Sequence, residues 1–288
     1  MLGRAMTCNG CGGSSRELIF VKDGYRLVRC SACALAYIDN PPTPEELKRL
    51  YSGAANYHAE LQDPKSDAYA AMARTADQHL RIVRKYRSNG RLIDIGCSTG
   101  LFLDRAARSG FHVEGVEYSS DSADYARTAF GVTVTEGDVR DAPAGPWDVL
   151  TMFDVIEHVR DPAADMRAAA DLLASGGLFI VSTPDIDGLF PRLSYRLAKK
   201  LDYWPHPEPP YHLFQFSKRT LAAMLEKNGF EVLGAHDQNM ALAYSFGTLS
   251  NLARRPKMAA YAALFAPVAK FGPLIGRGDW FYMAARKP

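Results

Sequence analysis

Apolar and polar residues recur along this chain with two different periods, and each change of period marks an element. From Arg91 onward, short apolar runs of strand length alternate with stretches at helical spacing. LIDIG precedes a helix expected near Leu101 to Ser109, and HVEGVEY precedes one near Asp121 to Phe130. VTVTEGD follows; WDVLTMFDVI then leads to a helix near Pro162 to Ala174, and GGLFIVSTP comes after it. FEVLGAH and WFYMAAR supply the last two strands. Such alternation predicts an α/β fold: a doubly wound, seven-stranded, mainly parallel sheet with helices on both faces.

Upstream the pattern is helical. Asp67 to Tyr86 sets Met72, Ala76, Leu80 and Val83 at helical spacing, and Thr43 precedes Glu46 by three residues, as in a capping box. The expected division is a small module over 1–39, a helical linker or cap over 40–88, and the main domain over 89–288, with lid insertions at about 186–212 and 238–277.

Composition narrows the class. With 288 residues, 47% hydrophobic and 23% charged, the chain reads as a globular protein rather than a disordered one. Its net charge of +2 is too small to mark a nucleic-acid binder. No charge-free apolar run has the length of a spanning helix, and MLGRAMTCNGCGG lacks the apolar core of a signal peptide. The cytoplasm is the expected location.

The cysteines change the picture at the N-terminus. Cys8 and Cys11 form one C-x-x-C pair, Cys30 and Cys33 another, and eighteen residues lie between the pairs. That spacing is a zinc-ribbon pattern, and four thiolates around Zn2+ close a tetrahedron with no position left for substrate. The metal is therefore expected to be structural. Two disulfides are the competing reading, disfavoured by a reducing compartment. The mixed charge of GGSSRELIFVKDGYRLVR gives little support to RNA recognition.

The chemistry is expected where the first strand of the sheet ends, because open α/β sheets bind ligands outside the carboxyl ends of their strands. LIDIGCSTG supplies Asp94, Gly96 and Gly100 there, but Ser98 and Leu101 occupy the second and third positions of a dinucleotide fingerprint. A pyrophosphate cradle is thus excluded, and a nucleoside carrying a small anionic group remains. Glu117, twenty-one residues after Gly96, suits the two hydroxyls of a ribose, and Asp138 suits an adenine amino group.

LIDIGCSTG, VEGVEYS, EGDV and FDVIEHVRDP, in this order, resemble the motifs of class I S-adenosylmethionine-dependent methyltransferases. EHVRDP and YHLFQFSKRTLAAMLEKNGFEV are similar to the branch that holds ubiquinone-type O-methyltransferases and small-molecule methyltransferases. The resemblance covers the chain from about residue 90 and implies a Rossmann-like methyltransferase fold with S-adenosylmethionine as cofactor. It implies cofactor contacts from Asp94, Gly96, Cys97, Ser98 and Gly100 in the loop, and from Glu117 and Tyr118 at the second strand's end. Asp138 and Val139 would lie near the adenine and Phe153 at the exit of the fourth strand. Ser98 departs from the glycine of the commonest loop. Cys97 reads as a small packed residue rather than a nucleophile or a fifth metal ligand.

His158 is the best-placed general base for a hydroxyl acceptor, the alternative being a structural hydrogen bond in its loop. His212 in PPYHLFQFS is the second candidate, and Glu157 an orienting residue. Leu189, Leu193, Leu197 and Leu201 line one helical stripe, with Arg192, Arg196, Lys199 and Lys200 on other faces. Residues 239–278 contain no Asp or Glu, but they do carry Arg254, Arg255, Lys257, Lys270 and Arg277 among long apolar runs. In the resembled fold both insertions leave on the cofactor side, so an apolar, cationic roof over a small-molecule or lipid-linked acceptor is expected.

Peripheral contact with the inner membrane face follows from such a roof. Core packing or a dimer face is the plainer alternative. An RNA base methyltransferase and a scaffold that binds cofactor without chemistry are the rival functions. Nucleic acid is disfavoured by the ribbon's charge, and the oligomeric state is left open.

Overall fold

The computed structural model describes residues 7–43, 45–47, 61–201, 204, 208–238 and 254–288. Parts of the expected linker (48–60) and lids (202–203, 205–207 and 239–253) lie outside the described residues, as do the side chains of Lys199, Lys200, Leu201 and Lys257. The chain forms two compact units. One comprises Met1–Pro41, Ser182–Ala223 and Gly234–Met283; the other comprises Pro42–Val181, Met224–Leu233 and Ala284–Pro288.

In the first unit β1 (Arg16–Lys22), β2 (Tyr25–Cys30), β3 (Ala36–Ile38) and β9 (Phe214–Gln215) form an antiparallel sheet in that order. Buried Asp39 accepts from Arg16 Nε at 3.0 Å and Arg26 Nε at 2.9 Å, so one carboxylate pins both strands of the hairpin. Helix α5 (Leu189–Leu201) lies against this sheet through Ala198, in a cluster with Ile19, Leu27, Ile38, Ile186 and Trp204. The Trp204 indole donates to Ser194 Oγ at 3.1 Å, and the Tyr195 hydroxyl to the Ile19 carbonyl at 3.2 Å.

The division therefore differs from the boundaries expected from sequence. The ribbon is grouped with later chain: β9 pairs with its β3, and α5 packs on its apolar face. On α5 itself Phe190, Ser194 and Ala198 are buried while Leu193 and Leu197 are half-buried, so the core-facing stripe is turned from the leucine repeat.

The second sheet has the order β10-β11-β8-β7-β4-β5-β6 and is mainly parallel. Its strands are β4 (Gly90–Ile95), β5 (Phe111–Glu117), β6 (Thr133–Glu136), β7 (Trp147–Phe153), β8 (Leu173–Pro184), β10 (Glu231–Gln238) and β11 (Trp280–Arg286). The alternating helices are α1 (Asp67–Arg84), α2 (Leu101–Arg108), α3 (Ser120–Phe130), α4 (Pro162–Leu172) and α6 (Lys218–Lys227). β5 and β6 extend from one side of β4 while β7 lies on its other side, so the winding reverses between β4 and β7. Ligands bind at such a switch point.

Side-chain caps and a left-handed glycine bound these helices. Ser66 caps α1 by accepting the Tyr69 amide, Asp161 caps α4 by accepting the Ala164 amide, and Gly131 ends α3 in the left-handed conformation. Thr43 and Glu46 exchange hydrogen bonds at 2.8 and 3.2 Å, the expected capping box. α1 buries Ala76, His79, Ile82 and Val83, whereas Met72 and Leu80 are half-buried. An imidazole thus occupies a core position that apolar spacing alone does not reveal.

His79 stacks on Phe153 with centroids 3.9 Å apart and planes at 7°, and Phe102 stands edge-on to both rings. Complete burial lowers its pKa to about 3. Between the ordinary imidazole value and that value the unfolded chain holds a proton that the folded chain rejects. Stability from this group is therefore full above the ordinary value and lost as pH falls, by up to about 1.4 kcal/mol per pH unit. His79→Phe is expected to flatten the acid side of the stability profile, measured by urea unfolding from neutral pH downward. An unchanged slope would remove His79 from the acid response.

Candidate active site

Asp94 lies in the buried end of β4, and the parallel register sets it opposite Thr151 of β7 across the switch point. The Thr151 hydroxyl donates to Asp94 Oδ1 at 2.6 Å. Burial raises the Asp94 carboxyl to about 7; the Thr151 hydrogen bond pulls it down, and the charge of Glu117 adds to the rise. A carboxyl held this way is at the edge of ionisation and gains most from a cation placed beside it.

The loop after Asp94 turns on left-handed residues. Gly96 has φ 77° and Gly100 φ 80°; a side chain on the first would strike Val155, and one on the second would come within 2.7 Å of the Ala126 Cβ. Ser98 has φ 49°, so the expected departure from glycine falls where glycine is conformationally favoured. Glu117 secures this turn: Oε2 accepts the Ser98 amide and Oε1 the Ser119 amide, both at 2.8 Å. Cys97 is buried and its thiol pKa is pushed well up, in keeping with a packed small side chain. Gly100 caps α2 without a side-chain hydrogen bond, so the cap residue itself satisfies none of the first-turn amides.

The remaining cofactor candidates take different places. Tyr118 follows β5 and is exposed; Val139 is buried at the start of a 3-10 turn, Val139–Asp141. The Asp138 carboxyl is held below the usual range by the Arg140 guanidinium, which donates to its two oxygens at 2.9 and 2.7 Å. An adenine amino group would share an acceptor that is already charge-paired. Phe153 ends β7 and is backed by His79.

Asp154, next in the chain, has φ 57°, a second strained non-glycine residue, after Ser98, beyond the carboxyl end of a strand of the parallel sheet. The turn it opens buries Glu157 and leaves His158 half-buried, with the His158 amide donating to the Val155 carbonyl at 2.9 Å.

His212 belongs to the first unit, where it is buried. Its amide donates to the Glu208 carbonyl at 3.0 Å, and its Nε2 lies 3.9 Å from Glu208 Oε2. The next residue accepts the Ile38 amide at 2.8 Å through its carbonyl, just ahead of the β3–β9 pairing, so the ribbon sets the backbone that carries His212.

Three residues here were not anticipated. Thr151 acts through register, which a linear pattern does not display, and His79 sits on a helix whose apolar spacing hid it. In the first unit, Lys218 Nζ donates to Asp237 Oδ1 at 2.6 Å and to the Gly276 carbonyl at 2.9 Å. The Gly278 amide donates to the same Asp237 oxygen at 2.6 Å, anchoring the chain just before β11.

The four N-terminal cysteines converge with their sulfurs all within 4.8 Å, and the pairs Cys8–Cys33 and Cys11–Cys30 are 3.4 and 3.5 Å apart as free thiols. Bonds of about 2.3 Å to zinc require tetrahedral edges of about 3.8 Å, so the donor set fits Zn2+. Burial raises the Cys30 pKa, but hydrogen bonds from the Cys33 and Ala32 amides and the neighbouring sulfurs outweigh it and bring the thiol to about 7.

A family model described as a methyltransferase domain matches residues 66–235. The ubiquinone biosynthesis O-methyltransferase of Caulobacter sp. strain K31 is 42% identical over 101 residues, 32% of this chain and 40% of that protein. The Xylella fastidiosa strain 9a5c enzyme of the same name is 33% identical over 105 residues, 33% of this chain and 42% of that protein. The matched segments thus span less than half the length of these curated relatives.

Among solved structures, the cyclase SpnF aligns with TM-score 0.59 at 20% identity, covering 86% of this chain and 98% of its own. Magnesium protoporphyrin IX methyltransferase from Synechocystis PCC 6803, with bound SAH, aligns with TM-score 0.56 at 14% identity, covering 85% and 100%. At these identities the likeness is one of fold.

For the cysteine cluster, the purified chain is expected to carry stoichiometric Zn2+, and the Cys8→Ser, Cys30→Ser double variant to lose it. Because β9 pairs with β3, hydrogen exchange at the β9 amides should accelerate in the same variant. Metal-free protein with slowly exchanging β9 amides would contradict a zinc role in this sheet.

Proposed function

We propose that this chain, which belongs to the methyltransferase-domain family, transfers a methyl group from S-adenosylmethionine to a small-molecule or lipid-linked acceptor, with oxygen as the receiving atom. The observation that carries the reading is the paired environment around Asp94. A buried carboxyl raised to about 7 invites an ammonium group, and the uncapped start of α2 invites a carboxylate. An α-amino acid moiety presents both charges. Glu117, already tied to Ser98, retains acceptor capacity for ribose hydroxyls. The oxygen assignment is supported by the names of the curated relatives, which are O-methyltransferases.

When bound, S-adenosylmethionine supplies a methyl group on a sulfonium whose departure leaves a neutral thioether. The chain's own task is then alignment, worth about 7 to 11 kcal/mol in favourable intramolecular models. Gly96 and Gly100 allow the backbone to come close, and Asp94 and Glu117 fix the two ends of the ligand. His158 takes the acceptor's proton, and His212 contacts the acceptor. The zinc site stays outside the chemistry because four thiolates fill its coordination.

Calorimetry should register the Asp94→Ala and Glu117→Ala changes each as a loss of about 1 to 3 kcal/mol in S-adenosylmethionine binding. In the wild type, protonation of Asp94 should weaken binding as pH falls below about 7, with proton release on binding in that range. Undiminished affinity in both variants would displace the pocket from this loop.

His158→Ala should retain cofactor binding while kcat falls by about 100-fold or more, the scale of lost general-base help. An unaltered kcat would make His158 structural. The acceptor itself is found by incubating with methyl-labelled S-adenosylmethionine and cell extract, then counting the organic, aqueous and RNA fractions. Label confined to RNA would overturn the proposed acceptor class.

A further inference from the structure

Helix α7 (Pro256–Phe271) and the 3-10 turn after it (Gly272–Ile275) have one satisfied face and one open face. On the satisfied face Tyr261, Ala262, Phe265 and Ala269 are buried in a cluster with Phe190 of α5. Tyr261 and Phe265 lie 6.1 and 5.6 Å from the Phe190 ring. The opposite face is apolar too. Ala260, Leu264, Pro267, Phe271 and Leu274 recur three or four residues apart, and all are exposed. Leu264 is 57% exposed, Phe271 53%, Leu274 76% and Ile275 50%, a contiguous stripe of large apolar side chains.

Cations border this stripe at both ends. Arg254 and Arg255 are exposed just before α7, and Lys270 and Arg277 are exposed at its other end. From 239 to 278 the chain has no Asp or Glu, so the segment contains no acid to neutralise them. Met258–Ile275 is apolar and long enough to cross a membrane by length and composition. Its packed face and the internal Pro267 argue for a helix lying along a surface instead. The Asp237 contacts to Lys218 and Gly278 fasten the far end of the segment within its own unit.

We infer that this face docks on an anionic lipid bilayer. The apolar stripe enters the acyl boundary while Arg254, Arg255, Lys270 and Arg277 meet the headgroup phosphates. Charge complementarity selects this occupant: an apolar protein partner has no need of a cationic border, and a second copy would bring like charges together. The inference deepens the lipid-linked branch of the proposed function, since docking would deliver the chain to an acceptor held in the membrane.

Vesicle flotation of the full chain tests it, with phosphatidylcholine alone and with equal parts phosphatidylcholine and phosphatidylglycerol. Co-flotation with the mixed vesicles at low salt, but not with phosphatidylcholine alone, is expected. Leu264→Asp with Phe271→Asp should abolish it without lowering Tm, both side chains being exposed. Lys270→Glu with Arg277→Glu should weaken it by about tenfold or more.

No flotation at low salt, or equal flotation of wild type and variants, would overturn the docking surface. So would a dimer that the Leu264→Asp, Phe271→Asp change dissociates while wild type leaves vesicles unbound. S-adenosylmethionine calorimetry on the same preparations separates the two proposals. Flotation by a chain that fails to bind the cofactor leaves the surface standing and removes the methyltransferase reading; cofactor binding without flotation does the reverse.

Discussion

The site depends on one costly placement: a carboxyl group buried at the end of the central strand. Water removed from Asp94 is replaced by a single hydroxyl, that of Thr151, while the nearby Glu117 is of the same sign. Neutral or cation-bound forms are the ways to relieve this. The strand order matters here. Because winding reverses between β4 and β7, no crossover helix covers the end of that pair, and Asp94 and Thr151 meet where a ligand can approach. The loop then turns back through three left-handed residues, and Glu117 secures the one that bears a side chain.

A second constraint governs the N-terminal part. The ribbon is too small to bury a core unaided, which is the usual reason for a metal staple. Here the cysteine cluster is joined by chain drawn from far along the sequence: β9 extends the ribbon's sheet, and α5 with Trp204 packs on its apolar face. The edge of β3 that an independent ribbon would present to a partner is already paired. The sheet that carries the cysteine cluster also carries the backbone next to His212, through the Ile38 amide on the Leu213 carbonyl and the β3–β9 pairing.

Strands and helices of the main sheet were legible because their apolar periods differ. The cysteine cluster was legible from spacing alone, since few other purposes require four thiols at those intervals. Thr151 was not, because its role comes from standing opposite Asp94 in the neighbouring strand. His79 escaped for a related reason: helical spacing ranks apolar residues, and an imidazole stacked on Phe153 behaves as one only when burial keeps it neutral. The unit boundary escaped too, because β9 is two residues long and carries no periodic signal; its place is set by the strand it joins.

Shared fold and shared chemistry are separable in this family of shapes. The cyclase SpnF aligns with this chain about as well as the magnesium protoporphyrin IX methyltransferase does, so overall likeness does not choose between them. The choice is local. Under the proposed reading, a ligand that joins an ammonium, a carboxylate and a ribose would satisfy Asp94, the start of α2 and Glu117 at once. In the proposed reaction the chemistry would then turn on what His158 and the turn opened by Asp154 present to the acceptor.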